Sequence, residues 1–580
     1  MKSNIRKAMI YVSLIGFIIV CMLSAEADLK YVFANIVNGT AAPNQKNIIF
    51  SKDSGFYDES FELHIYAPTK DIYYTLDGSD PDENSLKYEK GIIVEDATNQ
   101  PNVYSMRTDV TAEFQDEIIE KYCNNRNIMN YTVPEYNVDK CTVIKAVYYD
   151  KNGVRSDIEE RVYFVGFDEK SGYEDVGVIS LVSDPENLFG YEEGIYVLGA
   201  TYDEFLKTGL LDDEEWGPRE YWAQWNTNYS NRGIDWEREC TISVFDEEKE
   251  FVLSQNAGVR IQGGGSRGFL PKSLNFYARD EYGSNRFYYD FWGTGYYPKR
   301  MTLTAGGDDF NTKIKDRLVS ELTADCNFVT MNYKPYILFL NGEYWGFYYL
   351  TEKYDEQYIE NYYGVDKGES GTDIIIIKSG LMETGRLEDE ELYTQMVETI
   401  VGLDMQKEEN YKKACELIDM ESFIDYHAAL AYVARCGDWP WGNFQLWRSR
   451  NISDKPYEDG KWRWMLFDVN STAMEDGLED FDSIAHMREA SELFNSLYDN
   501  ASFREEFHSR LLELADTIYS EKNVNQKLEE YVQLMEIPME NHHKRFFSES
   551  NERFLEGIDE IRCFFEKRRE YVLESMENSL

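Results

Sequence analysis

Between residues 422 and 470 the apolar positions of the chain change their period, and the change predicts a series of elements. Apolar residues recur at helical spacing over 423–433, about three turns. The pattern then breaks at a Gly-Asp-Trp-Pro sequence, where we expect the helix to end. Two runs with strand composition follow at 444–448 and 462–467, separated by a polar turn. The stretch therefore predicts a helix, a loop and a β-hairpin.

Two acids and an asparagine follow the predicted helix at defined places. Asp438 and Asn443 have the spacing D-x-x-x-x-N, and Asp468 comes directly after the hairpin. Protein kinases place their catalytic acid and metal ligands in this order, because phosphoryl transfer needs a carboxylate near the accepting hydroxyl and oxygen ligands for Mg²⁺. The histidine and arginine that usually precede the acid are replaced by Cys436 and Gly437. The order favours a kinase-like site, and the alternative is that these acids are ordinary cap or turn residues.

A second informative stretch, residues 258–279, reads GVRIQGGGSRGFLPKSLNFYAR. Its three consecutive glycines permit a tight turn with free backbone N–H groups between two predicted strands, and the polar residues beside them add donors. A glycine turn followed by a lysine on the next strand can cover nucleotide phosphates and pair with their charge. An ordinary glycine-rich hairpin with a surface lysine is the alternative. The candidate phosphate-binding residues are Gly264, Gly265, Ser266, Arg267 and Lys272.

The segment after the glycines continues in the order of a kinase N-lobe. Residues 313–326 predict an amphipathic helix that contains Glu321, and Asn-Gly between two apolar runs predicts a type I′ hairpin over 336–350. Glu352 follows where a hinge between lobes is expected. Either glutamate could orient Lys272, and the hinge position of Glu352 favours Glu321 for that role.

The N-terminal third of the chain has a different pattern. From about residue 48 to 165, short β-runs alternate with Gly, Asp, Asn and Pro turns, which predicts a small β-sandwich. The block YYTLDGSDP…IKAVYYDKNGVRSD resembles the Ig-like module at the C-terminus of chitobiases and β-hexosaminidases, with an insertion around 99–136. The resemblance implies an accessory domain over 45–167. A spacer role and a carbohydrate contact through exposed tyrosines are both open.

Charge and cysteine content exclude several classes of protein. Lys and Arg number 59 against 107 Asp and Glu, a formal net charge of −48, which argues against nucleic acid or anionic membrane as partners. The balance favours cations and basic protein surfaces. The eight cysteines are scattered without C-x-x-C or histidines at metal-ligand spacing, so the sequence predicts neither a disulfide scaffold nor a zinc site.

The first 27 residues have the pattern of an export signal. Three basic residues precede an apolar run over 8–23, and Ser-Ala-Glu-Ala ends the segment at Ala27. We expect cleavage after Ala27, with an uncleaved N-terminal membrane anchor as the alternative. Either outcome places the body of the protein outside the cytoplasm, secreted or held at the cell surface.

Four ordered blocks resemble the CotH family, the spore-coat protein H kinases: RIQGGGSRGFLPKSLNF, ILFLNGEYWGFYYLTEKYD, GDWPWGNFQLW and KWRWMLFDVN. The resemblance extends from about residue 177 to 580. It implies an atypical protein-kinase-like fold, ATP as cofactor with Mg²⁺ or Mn²⁺, and phosphorylation of Ser or Thr in a protein. The roles that it carries over are catalytic acid for Asp438, metal ligands for Asn443 and Asp468, phosphate pairing for Lys272 and a glycine-loop role for Arg267.

One position departs from the family pattern. A second acid usually follows the first after two residues, and here Asn470 stands two residues after Asp468. An amide oxygen can still bind a cation, but the site intended for a divalent metal loses one negative charge. We therefore expect weaker activity or an altered metal preference.

The sequence as a whole predicts a multidomain protein, in which an all-β Ig-like sandwich precedes an α+β kinase-like domain with a helical C-terminal lobe. The predicted function is phosphorylation of Ser or Thr in a coat or surface protein, and a basic, Ser-rich substrate would suit the acidic chain. The alternative is a kinase-fold protein without useful catalysis that binds a surface partner or glycan. The candidate lysine, acids and asparagine favour the first, whereas Asn470 and the scarcity of extracellular ATP favour the second.

Overall fold

The computed structural model describes residues 47–112, 131–208, 225–470, 473–475, 477–547 and 552–579. The predicted signal or anchor over 1–27 lies outside these residues. The described residues form two compact units, one from the chain up to Ala97 with Cys141–Gly166, the other from Thr98–Lys140 with Phe167 onward. Within the described ranges, no helix is both long enough and apolar enough to cross a membrane.

The smaller unit is all β, as its sequence pattern predicts. Five strands form one sheet in the order β2-β9-β8-β5-β6, and the pairs β1-β4 and β3-β7 form two small antiparallel sheets. The central strand of the larger sheet, Thr142–Tyr148, does not alternate regularly between buried and exposed residues, because five of its seven residues are buried. The strands are β1 Ile49–Phe50, β2 Gly55–Tyr57, β3 Phe61–Leu63, β4 Ile65–Tyr66, β5 Ile72–Thr75, β6 Leu86–Lys87, β7 Ile92–Val94, β8 Thr142–Tyr148 and β9 Glu159–Val165.

The segment predicted as an insertion in the sandwich belongs to the larger unit. The buried carboxylate of Glu343 accepts hydrogen bonds from the backbone N–H groups of Val103 and Ser105, at 2.5 and 2.7 Å. Lys140 pairs with Glu343 in an isolated β-bridge. The predicted sandwich range 45–167 therefore differs from the compact unit at residues 98–140, and the domain boundaries stay predictions.

The larger unit opens with a closed barrel, in the strand order β10-β11-β12-β13-β14-β16-β15. All six residues of β10 and all ten of β16 are buried, as expected for strands covered on both faces. Asn341 and Gly342 both have positive φ, so the predicted type I′ turn is confirmed. The strands are β10 Gly177–Val182, β11 Arg238–Phe245, β12 Phe251–Ile261, β13 Leu274–Tyr277, β14 Arg300–Thr304, β15 Tyr333–Leu340 and β16 Glu343–Glu352.

A second sheet and most of the helices follow the barrel. The sheet order is β18-β17-β19-β20, from β17 Ile374–Lys378, β18 Leu381–Thr384, β19 Gln445–Ser449 and β20 Arg463–Met465. The helix predicted over 423–433 spans Met420–Tyr432, and Asp419 caps it by accepting from the Ser422 N–H. The fold thus combines an N-terminal β-rich region with a mixed α/β region, as the sequence predicts.

The helices, in chain order, are α1 Pro185–Phe189, α2 Gly199–Thr208, α3 Lys315–Leu322, α4 Glu356–Tyr363, α5 Glu390–Val401, α6 Glu408–Leu417, α7 Met420–Tyr432, α8 Ser483–Ala490, α9 Glu492–Tyr498, α10 Ala501–Asp516, α11 Glu521–Phe547 and α12 Glu552–Asn578.

Candidate functional site

A cavity of about 1330 Å³ lies between the glycine-rich stretch and the loop that follows α7. We call residues 262–273 its roof, and residues 435–443 with 466–470 its floor. The predicted site residues in its wall are Gly264, Gly265, Ser266, Arg267, Glu352, Asp438, Asn443, Asp468 and Asn470.

The roof turn depends on its glycines. Gly263 has φ +116°, and a Cβ there would lie 2.3 Å from the Ser266 hydroxyl oxygen. A Cβ on Gly265 would come within 3.1 Å of the Trp225 ring. A side chain is therefore excluded at Gly263 and would be tight at Gly265, whereas a Cβ at Gly264 would meet open space.

The two cations of the roof bond to backbone carbonyls, some in the roof and some in the segment 229–231. The Arg267 guanidinium donates to the backbone carbonyls of Gly263, Tyr229 and Asn231 at 2.8 to 3.0 Å. Lys272 has no exposed surface; its Nζ donates to the Arg267 carbonyl at 2.7 Å and lies 3.6 Å from the centre of the Tyr229 ring. Burial lowers the pKa of Lys272 well below its usual value. Phosphate pairing by Lys272 finds no support in this position.

The floor loop is anchored by Trp439, which is fully buried. Its indole N–H donates to the Tyr426 hydroxyl on α7 at 3.2 Å, and its carbonyl lies 2.6 Å from His486 Nε2 on α8. Gly437 beside it has φ +69°, which allows the chain to reverse after α7. The loop thereby presents Asp438 to the cavity with 44% of its side chain exposed.

Arg435 connects the two acids of the floor. Its Nη2 donates to Asp438 Oδ1 at 2.8 Å, and its Nε donates to the main-chain carbonyl of Asp468 at 3.1 Å. Only 1% of the Arg435 side chain is exposed, whereas Asp438 keeps 44% of its side chain exposed toward the cavity. Sequence reasoning missed this residue, although its place three residues before Asp438 was a usable signal.

Asn443 and Asp468, the two residues predicted to hold a metal, are in direct contact. Asn443 Nδ2 donates to Asp468 Oδ2 at 2.6 Å. Asp468 has φ +59°, an uncommon backbone conformation for a residue other than glycine. Burial raises the pKa of Asp468, Asp308 and Asp438 add to this effect, and Arg435 opposes it. The carboxylate thus sits among other acids, where a bound cation would relieve their repulsion.

Three further cations line the cavity and were missed from the sequence. Lys378 ends β17 opposite Gln445, with Nζ 4.2 Å from the centre of the Phe467 ring. Burial lowers the pKa of Lys378, and the charges of Glu383 and Asp468 partly oppose this. Arg232 donates to the Gly263 carbonyl at 3.1 Å, and Lys353 Nζ lies 3.5 Å from Glu383 Oε1. The sequence did contain a local sign of Lys378, since this lysine directly follows four consecutive isoleucines.

The two candidate glutamates lie in different places, and of the two Glu352 lines the cavity. The Glu352 carboxylate accepts there from the Asn332 side chain at 3.0 Å and from the Tyr362 hydroxyl. Burial raises the pKa of Glu352. Glu321 accepts from Arg317 at 2.6 Å and from Tyr531 of α11 at 2.9 Å. These contacts hold Glu321 against α11, and neither glutamate contacts Lys272 through them.

The acid that α3 contributes to the cavity is Asp316, which sequence reasoning missed. Its Oδ1 accepts from the Val469 N–H at 2.6 Å and its Oδ2 from Asn470 Nδ2 at 2.8 Å. Burial and the nearby charge of Asp468 raise the pKa of Asp316 to about 7. Asn470 is therefore joined to a carboxylate from another part of the chain.

The donor set of the floor fits a hard divalent cation. Carboxylate and amide oxygens are the ligands that Mg²⁺ and Mn²⁺ prefer, and Mg²⁺ usually takes one or two protein carboxylates with substrate phosphates and water. Asp468 and Asn443 supply such oxygens at one place in the cavity wall. Within the described residues no group of three or more His, Cys, Asp or Glu forms a protein-only metal cage. The arrangement suits a metal that arrives with a phosphate ligand.

Comparison with known families agrees with this geometry. A family model described as CotH kinase protein matches residues 259–572, and one described as Fn3 associated matches residues 61–163. The first match contains both roof and floor, and the second supports the predicted N-terminal Ig-like domain. Among curated proteins, no sequence matches this chain significantly.

Proposed function

This chain belongs to the CotH kinase protein family, since the match covers more than half of its residues, and on this premise we propose that it is an ATP-dependent protein kinase. We propose transfer of the γ-phosphoryl group of ATP to a Ser or Thr hydroxyl of a protein. The observation that carries the proposal is the convergence of Asp438, Asn443 and Asp468 on one cavity beneath a glycine turn.

Each residue has a role that follows from its position. The hydroxyl oxygen of the substrate forms a bond to the γ-phosphorus while the bond from that phosphorus to the ADP oxygen breaks, and ADP leaves. The carboxylate of Asp438 accepts the hydroxyl proton, and Arg435 holds that carboxylate in place. The backbone of the roof covers the phosphates, and Lys378 pairs with their charge from the floor side.

Asn443 and Asp468 would hold the divalent cation. When bound, Mg²⁺ or Mn²⁺ would neutralise charge on the phosphates and fix their orientation. In the protein alone, the Asn443 amide nitrogen donates to Asp468 Oδ2, which holds these two side chains next to each other at the cavity wall.

We further propose that the protein acts outside the cytoplasm, secreted or at a cell surface, on a coat or surface protein. The predicted signal sequence and the spore-coat association of the family support this location. The formal charge of −48 favours a basic, Ser-rich substrate.

The test is incubation of the purified protein with labelled ATP and Mg²⁺ or Mn²⁺, beside Asp438→Asn and Asp468→Asn variants. We expect transfer to a basic Ser-rich peptide by the wild type, and a decrease of about 10² to 10⁴-fold in each variant. Both substitutions keep side-chain size, so circular dichroism should report unchanged folding. Absence of transfer together with absence of metal-dependent ATP binding would overturn the proposal and favour a non-catalytic surface protein on the same fold.

A further inference from the structure

The contact between Asp316 and Asn470 fixes the orientation of the Asn470 amide. Both Asp316 oxygens face N–H donors, one from the Val469 backbone and one from the Asn470 side chain. In the structure the Asn470 amide nitrogen Nδ2 is the atom that faces Asp316 Oδ2, at 2.8 Å. The Asn470 amide oxygen, on the other side of the same carbon, is then turned away from α3. Asn470 itself lines the cavity.

A glycine turn encloses this amide from a second side. Gly307 has φ +57°, and a Cβ there would lie 2.8 Å from Asn470 Nδ2. The next residue, Asp308, lines the cavity and raises the pKa of Asp468 by its charge. The space around Asn470 is therefore set by α3 on one side and by the turn after β14 on the other.

We propose that Asp316 is a positioning residue of the divalent-cation site, which supplies from α3 the negative charge that Asn470 lacks and turns the Asn470 amide oxygen toward the cation. The inference rests on the proposed function, because the cation is the one that accompanies ATP. The charge of the site then comes from two segments about 150 residues apart in sequence, Asp316 and Asp468.

This arrangement predicts that positions 316 and 470 can exchange their side chains. The double variant Asp316→Asn/Asn470→Asp would again pair one N–H donor with one carboxylate and would keep the same total charge. The single variant Asp316→Asn would remove the charge and leave two facing amides without a fixed orientation. Exchanging both side chains should therefore preserve cation binding, whereas the loss of Asp316 alone should weaken it.

The experiment is titration of the purified protein with Mn²⁺ in the presence of the non-hydrolysable β,γ-imido analogue of ATP, with free Mn²⁺ read by electron paramagnetic resonance. We expect Asp316→Asn to weaken Mn²⁺ binding by about 10 to 100-fold, as for other partners of metal ligands. The double variant Asp316→Asn/Asn470→Asp should bind within about threefold of the wild type. Asp325→Asn removes one exposed charge just after the same helix and should bind as the wild type.

Two results would overturn the inference while the proposed function stands. One is Mn²⁺ binding by Asp316→Asn equal to that of the wild type, and the other is a double variant that binds no better than Asp316→Asn. Wild-type protein that takes up no nucleotide-dependent Mn²⁺ would overturn the proposed function as well. If Asp316→Asn does not fold, the double variant decides: wild-type affinity supports the exchange, and weak binding by the folded double variant contradicts it.

Discussion

Both the roof and the floor of the cavity contain a buried cation, Lys272 in the roof and Arg435 in the floor. Lys272 donates to the Arg267 carbonyl, and Arg267 donates to the Gly263 carbonyl and to two carbonyls of the segment 229–231, so these cations hold the roof backbone and join it to that segment. Arg435 instead donates to the side chain of Asp438 and to the carbonyl of Asp468. One cation shapes a loop, and the other positions acids that face the cavity.

The difference shows that burial of a charge does not identify its role. Both side chains are almost fully enclosed, and both lie within a few residues of a conspicuous motif. The groups at the end of each hydrogen bond separate them in one respect: the roof cations bond backbone carbonyls, whereas Arg435 bonds the backbone carbonyls of Cys436 and Asp468 and, in addition, the carboxylate of Asp438. Variants of the two regions should therefore differ in which property they change.

Among the variants that compare the cations of roof and floor, the largest effect is expected from the arginine of the floor. Arg435→Lys keeps the charge but removes the planar fork that reaches both Asp438 and the Asp468 carbonyl. We expect kcat for phosphoryl transfer to fall by about 10²-fold, with KM for ATP within about threefold of the wild type, because Asp438 would lose its orientation. Steady-state kinetics with labelled ATP measure both constants.

Arg450→Lys is the matched control for this prediction. Arg450 also bonds a buried carboxylate, that of Asp389, but neither residue lines the cavity. The kcat of this variant should stay within about twofold of the wild type. Equal kcat in Arg435→Lys and wild type would contradict the positioning role of Arg435. The different bonding of the roof and floor cations would then have no effect on phosphoryl transfer.

How much the sequence could predict differs between these regions for a physical reason. Asp438, Asn443 and Asp468 lie at the ends of a helix and a hairpin, so the order of elements alone brings them together. Their proximity is confirmed by the hydrogen bond of 2.6 Å between Asn443 and Asp468. The hairpin of β15 and β16 with its type I′ turn and helix α7 likewise follow from local pattern, whereas β14 Arg300–Thr304 was not predicted.

The residues that sequence reasoning missed depend on contacts between distant segments. Lys378 reaches the cavity only because β17 pairs with β19, and Asp316 only because α3 packs on the loop at 469–470. Lys272, predicted to open a strand, lies two residues before β13, and periodicity alone does not tell which way such a residue points. For Glu321 a local signal existed, since Arg317 precedes it by four residues and forms an ion pair with it.

The second prediction compares two lysines of the cavity region. Lys378→Met removes a cation from the cavity wall and should weaken nucleotide binding by at least about tenfold, because the phosphates lose a charged partner. Lys272→Met should change that affinity by less than about threefold, because the ammonium has no access to the ligand. Titration with the β,γ-imido analogue of ATP and Mg²⁺, followed by calorimetry, measures both. The reverse ranking would return the phosphate-pairing role to Lys272.

The smallest effect concerns a titratable group below the floor. His427 of α7 is buried, stacks on Phe423 at 3.9 Å between ring centres, and has a pKa lowered to about 3 by burial. The folded protein thus binds fewer protons at this site than the unfolded chain between pH 6.5 and about 3. Its contribution to stability is complete above pH 6.5 and is lost as the pH falls further, by up to about 1.4 kcal/mol for each unit.

The measurement is urea unfolding of wild type and His427→Phe at pH 7.5, 6.5 and 5.5. Phenylalanine keeps the stacking but does not titrate, so the difference in unfolding free energy between the two proteins should change by about 1 kcal/mol from pH 6.5 to 5.5 in favour of the variant. Other groups titrate equally in both proteins and cancel in the difference. The pH dependence of stability that Lys272 of the roof contributes has the same direction at higher pH. Burial lowers the pKa of Lys272 below 10.5, so its contribution to stability is lost as the pH falls below that value. A constant difference for His427→Phe between pH 6.5 and 5.5 would contradict the buried, neutral histidine beneath the floor.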